Sequence, residues 1–239
     1  MTCQPRHEAA GADEHWHDGG HGRPVGRRDC RPPLLSDHYF TAEPASAADT
    51  RPLRVELNGR SLELRTARGV FSHDRLDQGT AVLLDQAPAA PAAGMLLDLG
   101  CGWGPIALSL ALRSPSASVV AVDVNERALD LLRANASSLA LANITVSRPG
   151  DVPAGTRFAA IYSNPPIRVG KAALRDLLMR WLPRLEPGAS AYLVVQRNLG
   201  SDSLQAWLHT ELGPAGYQVS RLASAKGFRL LHVVAPPER

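Results

Sequence analysis

The sequence predicts an α/β fold, one mainly parallel sheet covered by helices on both faces. Two observations carry that prediction. From Met95 onward, short apolar runs alternate with stretches of helical periodicity. The apolar runs are continuous, as in strands buried on both faces of a parallel sheet. A third observation sets the N-terminal part apart. "LRVELNGRSLELRT" (53–66) alternates apolar and polar residues around Asn58-Gly59, the pattern of a hairpin closed by a tight primed turn.

Residues 1–36 hold Gly, Pro, His and Arg without apolar periodicity and read as an unfolded tail. His15, His17 and His21 lie there without a fixed set of partner ligands, so no metal site is expected. Residues 37–94 read as an extension. The hairpin is followed by "GVFSHDRLDQGTAVLLDQ", a loop leading into an amphipathic helix at about 76–86. The Ala/Pro stretch 87–94 links it to the main domain, 95–239. There, "MLLDLG" is a strand and "PIALSLALR" a helix. "ASVVAVDV" is a strand, "ERALDLLRANASSLA" a helix, and "ITVSR" and "RFAAIYS" are strands. "KAALRDLLMRWLPRL" is a helix ended by Pro187-Gly188. "SAYLVVQ", the helix "DSLQAWLHTEL", and the strands "YQVSRLA" and "FRLLHVVA" complete the chain.

Totals bound the function. At 239 residues and 44% hydrophobic, the chain has room for one α/β core or at most two small ones. No apolar run approaches the roughly 20 residues of a membrane helix, and no signal pattern opens the chain; a cytoplasmic protein without a membrane partner is expected. Cys3, Cys30 and Cys101 are too few and scattered for a disulfide framework. Residues 1–37 are net −1 and the remainder net +4, a mildly basic body compatible with a polyanion and with much else.

"DLGCGWGP" (98–105) follows a strand and opens a helix. Gly100, Gly102 and Gly104 permit a sharp turn and close approach of a ligand to the backbone. Pro105 stands where a dinucleotide fingerprint would want its third glycine, which argues against NAD and suits the first turn of a helix. The next strand ends in Asp123, where a carboxylate can accept both hydroxyls of a ribose. Asp151 follows the third strand, either as an acceptor for an adenine amine or as a turn residue.

"DLGCGWGPIAL", "VDVN" and "SNPPI" resemble class I S-adenosylmethionine-dependent methyltransferases. More narrowly, with "DHYFTAEPAS" (37–46), "GVFSHDRLDQGTAVLL" (69–84) and "SAKGFRLL" (224–231), the chain resembles the methyltransferase small group. That group includes the RsmC-type 16S ribosomal RNA guanine-N2 methyltransferases. The resemblance spans residues 37 to about 235 and implies a Rossmann-like, seven-stranded, mostly parallel sheet with the last strand antiparallel. It also implies S-adenosyl-L-methionine as cofactor. Gly100, Cys101, Gly102 and Gly104 would cradle its methionine part, with Asp98 near the amino group. Asp123, helped by Asn125, would hold the ribose, and Asp151 would lie by the adenine. Phe71, Ser72, Asp77 and Gly79 would close over the cofactor or the incoming base, and the hairpin would sit near the catalytic edge.

"SNPPIR" (163–168) ends a buried strand on two prolines, which cannot donate to a ladder. An exocyclic amine is a poor nucleophile, because its lone pair is delocalised into the ring. The Asn164 side-chain oxygen and the Pro165 carbonyl offer two acceptors that orient such a nitrogen and stabilise its developing charge, while Pro165 and Pro166 stiffen the loop. The group usually places an aromatic residue next, and often His after it. Here they are Ile167 and Arg168. That departure is compatible with a relocated stacking partner, a different base or another substrate. Arg168, Lys171 and Arg175, with Lys226 and Arg229 at the last turn, are candidates to meet RNA phosphates, or form an ordinary solvated face. The leading reading is N-methylation of a guanine amine in 16S ribosomal RNA or the small subunit, with oligomeric state left open. Methylation of a protein glutamine at N5, and a non-catalytic cofactor- or ribosome-binding module, are the alternatives. Fuller RsmC-type enzymes carry an additional N-terminal domain, a degenerate copy of the catalytic one; this chain is expected to lack it and to be a stand-alone catalytic domain.

Overall fold

The computed structural model describes residues 49–238. The expectations for residues 1–36, including His15, His17 and His21, and for 37–46 lie outside the described residues. The first element is the hairpin of β1 (Thr50–Leu57) and β2 (Arg60–Ala67), with Leu57 paired to Arg60 across a two-residue turn. Asn58 (φ 54°) and Gly59 (φ 71°) take the left-handed conformations that this turn demands. Helix α1 (Gln78–Gln86) follows.

The main sheet is ordered β5-β4-β3-β6-β7-β9-β8. Its strands are β3 (Ala93–Leu99), β4 (Ser116–Val122), β5 (Ile144–Ser147), β6 (Phe158–Ser163), β7 (Leu185–Gln196), β8 (Gln218–Ala225) and β9 (Phe228–Val234). β5, β4, β3, β6 and β7 are mutually parallel; β9 runs antiparallel to both neighbours. The expected seven strands and antiparallel last strand are therefore present. The order reverses between β3 and β6, where α/β sheets open a crevice at their C-terminal strand ends.

Helices α2 (Pro105–Arg113), α3 (Glu126–Ser138), α4 (Lys171–Trp181) and α5 (Ser201–Leu212) cover the sheet. Adjacent residues of one strand face opposite layers. Leu96 packs in a cluster with α1, α2, α3 and the hairpin, while Leu97 packs with α4 and α5. Leu178 of α4 is fully buried in the second layer, and its truncation to alanine costs about 2–5 kcal/mol. No described helix is long and apolar enough to cross a membrane.

Three local readings change. Pro187-Gly188 does not end a helix. α4 stops at Trp181, a 3₁₀ turn covers Leu182–Arg184, and Pro187 and Gly188 lie inside β7. The register between β6 and β7 shifts there, so an irregularity accommodates the proline that a continuous ladder would reject. β3 begins at Ala93, within the expected linker. The hairpin lies over α2 and α3 rather than at the catalytic edge. Asn58 exchanges hydrogen bonds with Ser109 of α2, donating to its carbonyl (3.0 Å) and accepting from its hydroxyl (2.6 Å). Buried Asn135 of α3 accepts from the Arg65 amide (2.7 Å) and donates to the Arg65 carbonyl (3.0 Å), mimicking a neighbouring strand. The segment that leaves the hairpin, residues 68–77, is what reaches the edge.

Candidate active site

At the C-terminal ends of β3, β4 and β6, a cavity of about 880 Å³ opens. The glycine loop forms its floor. Gly100, Gly102 and Gly104 all have positive φ (79°, 54° and 102°). The Gly100 and Cys101 amides donate to the Val122 carbonyl at 2.9 and 3.0 Å, which ties the loop to the end of β4. A methyl group added at Gly100 or Gly102 would meet nothing within 4 Å, so both face open space, and both line the cavity. Gly104 differs: a Cβ there would lie 2.2 Å from the Leu132 side chain. Its role is close packing of the loop on α3.

Asp123 lines the cavity. One of its oxygens accepts from the Gly102 amide and the other from the Asn125 amide, both at 2.9 Å. A carboxylate has about four lone-pair sites, so capacity for a diol remains. Burial pushes its carboxyl up, opposed by these backbone N–H groups. Asp98 lies beneath the loop, fully buried and off the cavity wall. Oδ2 accepts from the Ala107 amide in the first turn of α2 (2.8 Å), while Oδ1 has no hydrogen-bond partner. Burial raises its carboxyl from 3.8 to about 8; the Ala107 N–H opposes this and the Asp123 charge adds to it. An unpartnered buried carboxylate oxygen beneath a glycine cradle fits a ligand carrying an ammonium group. Cys101 is buried and burial pushes its thiol up. Its part in the loop is played by its backbone.

At the end of β6, the Ser163 hydroxyl donates to the Leu99 carbonyl (2.7 Å), fastening this strand end to that of β3. Asn164 follows, half-buried and on the cavity wall. Its amide nitrogen donates to Asp77 Oδ2 (2.7 Å) and to the Thr80 hydroxyl oxygen (3.0 Å). The same Asp77 oxygen caps α1 by accepting from the Thr80 amide (2.9 Å). A carboxylate oxygen can only accept, so the Asn164 amide nitrogen faces Asp77 and its carbonyl oxygen is left for another partner. Pro165, Pro166, Ile167 and Arg168 continue the wall. The Pro165 carbonyl, expected as a second free acceptor, already accepts from the Ile167 amide (2.9 Å) and keeps one lone pair.

Among the bonds that hold residues 68–77 over the cavity, three reach their backbone carbonyls. Asn125 donates to the Gly69 carbonyl (2.8 Å), Arg127 to Arg68 (2.8 Å) and the Trp103 indole to Ser72 (3.1 Å). Phe71, Ser72 and Asp77 line the cavity. The side chain of Asn125, which also lines the cavity, caps α3 by accepting from Ala128 (3.3 Å), so it braces this segment from the wall where the ribose contact is expected. Asp77 likewise acts on Asn164 and α1. Gly79 is the close-approach point for Phe228, since a Cβ there would lie 2.8 Å from that ring.

Other expected residues are not on the wall, Arg175 and Arg229 among them. Asp151 is exposed in the turn after β5, and Pro149 takes the wall position. Lys171 is exposed at the start of α4, and Lys226 belongs to a neighbouring hollow. Arg175 stacks its guanidinium over Trp207, 4.9 Å from the ring centre. Sequence reading missed Thr80, Trp103, Gln196 and Phe228. Only Phe228 had a visible signal, an aromatic residue just after the Lys226-Gly227 turn.

The methyltransferase small domain family profile matches residues 61–232. The chain is 30% identical over 172 residues to the uncharacterised protein YbxB of Bacillus subtilis, covering 71% of this chain and 86% of YbxB. It is 34% identical over 193 residues to ribosomal RNA small subunit methyltransferase C of Pseudomonas aeruginosa, covering 79% of this chain and 56% of that protein. The chain thus spans little more than half the length of that relative. A solved structure of the T. thermophilus 16S rRNA N2 methyltransferase RsmC, in complex with AdoMet and guanosine, shares the fold. Its TM-score is 0.64 at 24% identity, over 80% of this chain and 52% of that one.

Proposed function

Because the chain belongs to the methyltransferase small domain family, whose profile covers residues 61–232, we propose that it methylates the exocyclic N2 amine of a guanine in small-subunit ribosomal RNA. It is an S-adenosyl-L-methionine-dependent methyltransferase; the choice of acceptor is the proposal. Bound S-adenosyl-L-methionine would supply the methyl group: its bond to sulfur would break as the bond to the acceptor nitrogen forms, and the nitrogen would then lose its surplus proton to water. The glycine loop, Asp98 and Asp123 would hold it, as the open faces of Gly100 and Gly102 and the unpartnered Asp98 Oδ1 allow.

The observation that carries the acceptor reading is the orientation of Asn164. With its amide nitrogen fixed by Asp77 and Thr80, its carbonyl oxygen is presented as an acceptor for an N–H₂ group. Accepting from that group fixes the nitrogen's orientation and strengthens as positive charge develops on it. Leu99, Val122 and Ile167 form an apolar side of the cavity. Two aromatic rings, Phe71 and Phe228, line the same cavity. They supply the stacking area that Ile167 does not, which favours a relocated stacking partner for a base.

The test is labelled-methyl transfer from S-adenosyl-L-methionine to 30S subunits, naked 16S RNA, tRNA and protein release factors in parallel, with Asn164→Ala as control. Label in 16S RNA that disappears with the variant, and that nucleoside analysis identifies as N2-methylguanosine, supports the reading. Label confined to release factors or tRNA refutes it.

A further inference from the structure

Beside the cavity lies a second hollow of about 330 Å³, lined by Arg197, Arg221, Ser224, Ala225, Lys226, Gly227, Phe228 and Arg229. Four of these residues are cationic and none is acidic. Among the described residues only Arg229 of the four has a carboxylate partner, Asp202 at the start of α5. Arg197, Arg221 and Lys226 are exposed. We propose that this hollow binds a backbone phosphate of the RNA strand whose target base occupies the cavity. The proposal rests on the ribosomal RNA reading above and adds a site to it.

The two depressions share a wall. Phe228 lines both. The turn after β7 is split between them: Gln196 and Leu199 face the cavity, and Arg197 faces the hollow. A nucleotide with its base in the cavity thus has the cationic hollow directly beside it, on the same sheet edge.

The backbone is arranged to gather these cations. Ser224 pairs with Arg229 across β8 and β9, and Arg221 pairs with Leu231. Arg229 and Leu231 are two residues apart and share a face. Arg221 and Ser224 are three apart, and in an unbroken strand would face opposite ways. The register shift between Arg221 and Ala223 inserts Leu222 as an extra residue and brings Arg221 round to the Ser224 face. Arg197 is brought in by its own backbone, whose amide donates to the Gly227 carbonyl (2.8 Å) and clamps the β7 turn on the β8–β9 turn.

Lys226 adds an independent observation. It occupies a left-handed position (φ 50°) ahead of Gly227 (φ 81°) in a two-residue turn. Asn, Asp or Gly is favoured there, and another residue costs on the order of 1 kcal/mol. The turn therefore carries strain and places an ammonium group on the hollow. Guanidinium groups with a hydroxyl and an ammonium form a donor set for phosphate oxygens.

Two variants test this with 16S RNA as acceptor. Arg197→Gln/Arg221→Gln/Lys226→Gln removes the cations while keeping side-chain length. It should raise the KM for RNA about tenfold at physiological salt, with kcat at saturation and cofactor affinity unchanged. The slope of log K against log[salt] should fall by about 0.7, the increment for one single-strand phosphate that the protein no longer neutralises. Lys226→Asn suits the turn better than lysine, so it should raise Tm while raising the KM, a combination that misfolding does not produce. If the wild-type enzyme labels RNA and both variants keep its KM and salt slope, the phosphate site is wrong and the RNA reading stands. If the wild type labels no RNA, both fall together.

Discussion

The Asn164 amide nitrogen lies 2.7 Å from the Asp77 carboxylate, across 87 residues of sequence. That single contact decides which end of the Asn164 side chain is available to a substrate. Asn164→Ala removes the acceptor and leaves the glycine loop untouched. It should lower kcat by 10²–10³-fold, the usual cost of deleting one oriented polar group from a transition state. Calorimetric cofactor affinity should stay within a factor of about two. Loss of cofactor binding instead would place Asn164 in the cofactor site.

Asp77 does two things with one oxygen, capping α1 and holding Asn164. Asp77→Ser separates them. The serine hydroxyl can still cap α1, at little cost in stability, but is too short to hold Asn164. Tm should stay close to wild type while kcat falls at least tenfold. Asp77→Ala should lose the catalysis and about 1 kcal/mol of stability as well. Equal kcat in Asp77→Ser and wild type would reduce Asp77 to a helix cap.

The sheet was legible because each of its strands needs only local chemistry. Leu96 and Leu97 face opposite layers, and a strand covered on both sides must be apolar at successive positions. Asn58-Gly59 likewise announces its own turn. What was not legible depends on partners far away in the chain. Asn135 reads as one more polar helix residue, yet its amide substitutes for a strand edge against Arg65. Asn125, which the resemblance sets beside the ribose, lines the cavity, and its bonds to Ala128 and Gly69 are a second role that nothing local announces. Pro187-Gly188 carries the local signature of a helix end and is absorbed by an irregular stretch of β7. The bulge at Leu222 has no local signature, so neither Arg221 nor Arg197 joined the candidate residues.

Gly102 and Gly104 sit two residues apart in one motif and should fail differently. A Cβ at Gly104 meets Leu132 at 2.2 Å, with φ at 102°. Gly104→Ala should therefore destabilise the fold by about 2–4 kcal/mol, from overpacking and backbone strain together. A Cβ at Gly102, which lines the cavity, meets nothing within 4 Å. Gly102→Ala should cost about 1 kcal/mol in urea unfolding and abolish cofactor binding. If Gly102→Ala bound cofactor normally, the loop would not be the cradle.

Asp98 gives the site its pH dependence. Burial, opposed by the Ala107 N–H and reinforced by Asp123, lifts its carboxyl from 3.8 to about 8. Across that window the native state keeps a proton that the unfolded chain has released. The associated stability is complete below about pH 4 and lost as pH rises through about 8. Asp98→Asn retains an oxygen for the Ala107 amide and removes the titration, so its cofactor-free Tm should fall less than that of wild type between about pH 6 and pH 8. Ligand binding should show the same group with the opposite sign. An ammonium beside Oδ1 favours the ionised form, so S-adenosylhomocysteine, which carries the same amino-acid part, should expel the proton as it binds. Its affinity for wild type should rise from about pH 6 to pH 7.5, by at most tenfold per unit, and stay flat for Asp98→Asn. Calorimetry in two buffers of different ionisation enthalpy counts the proton directly. No released proton, with equal pH profiles for the two proteins, would move the ammonium contact away from Asp98 and leave its free oxygen a purely internal feature of the loop.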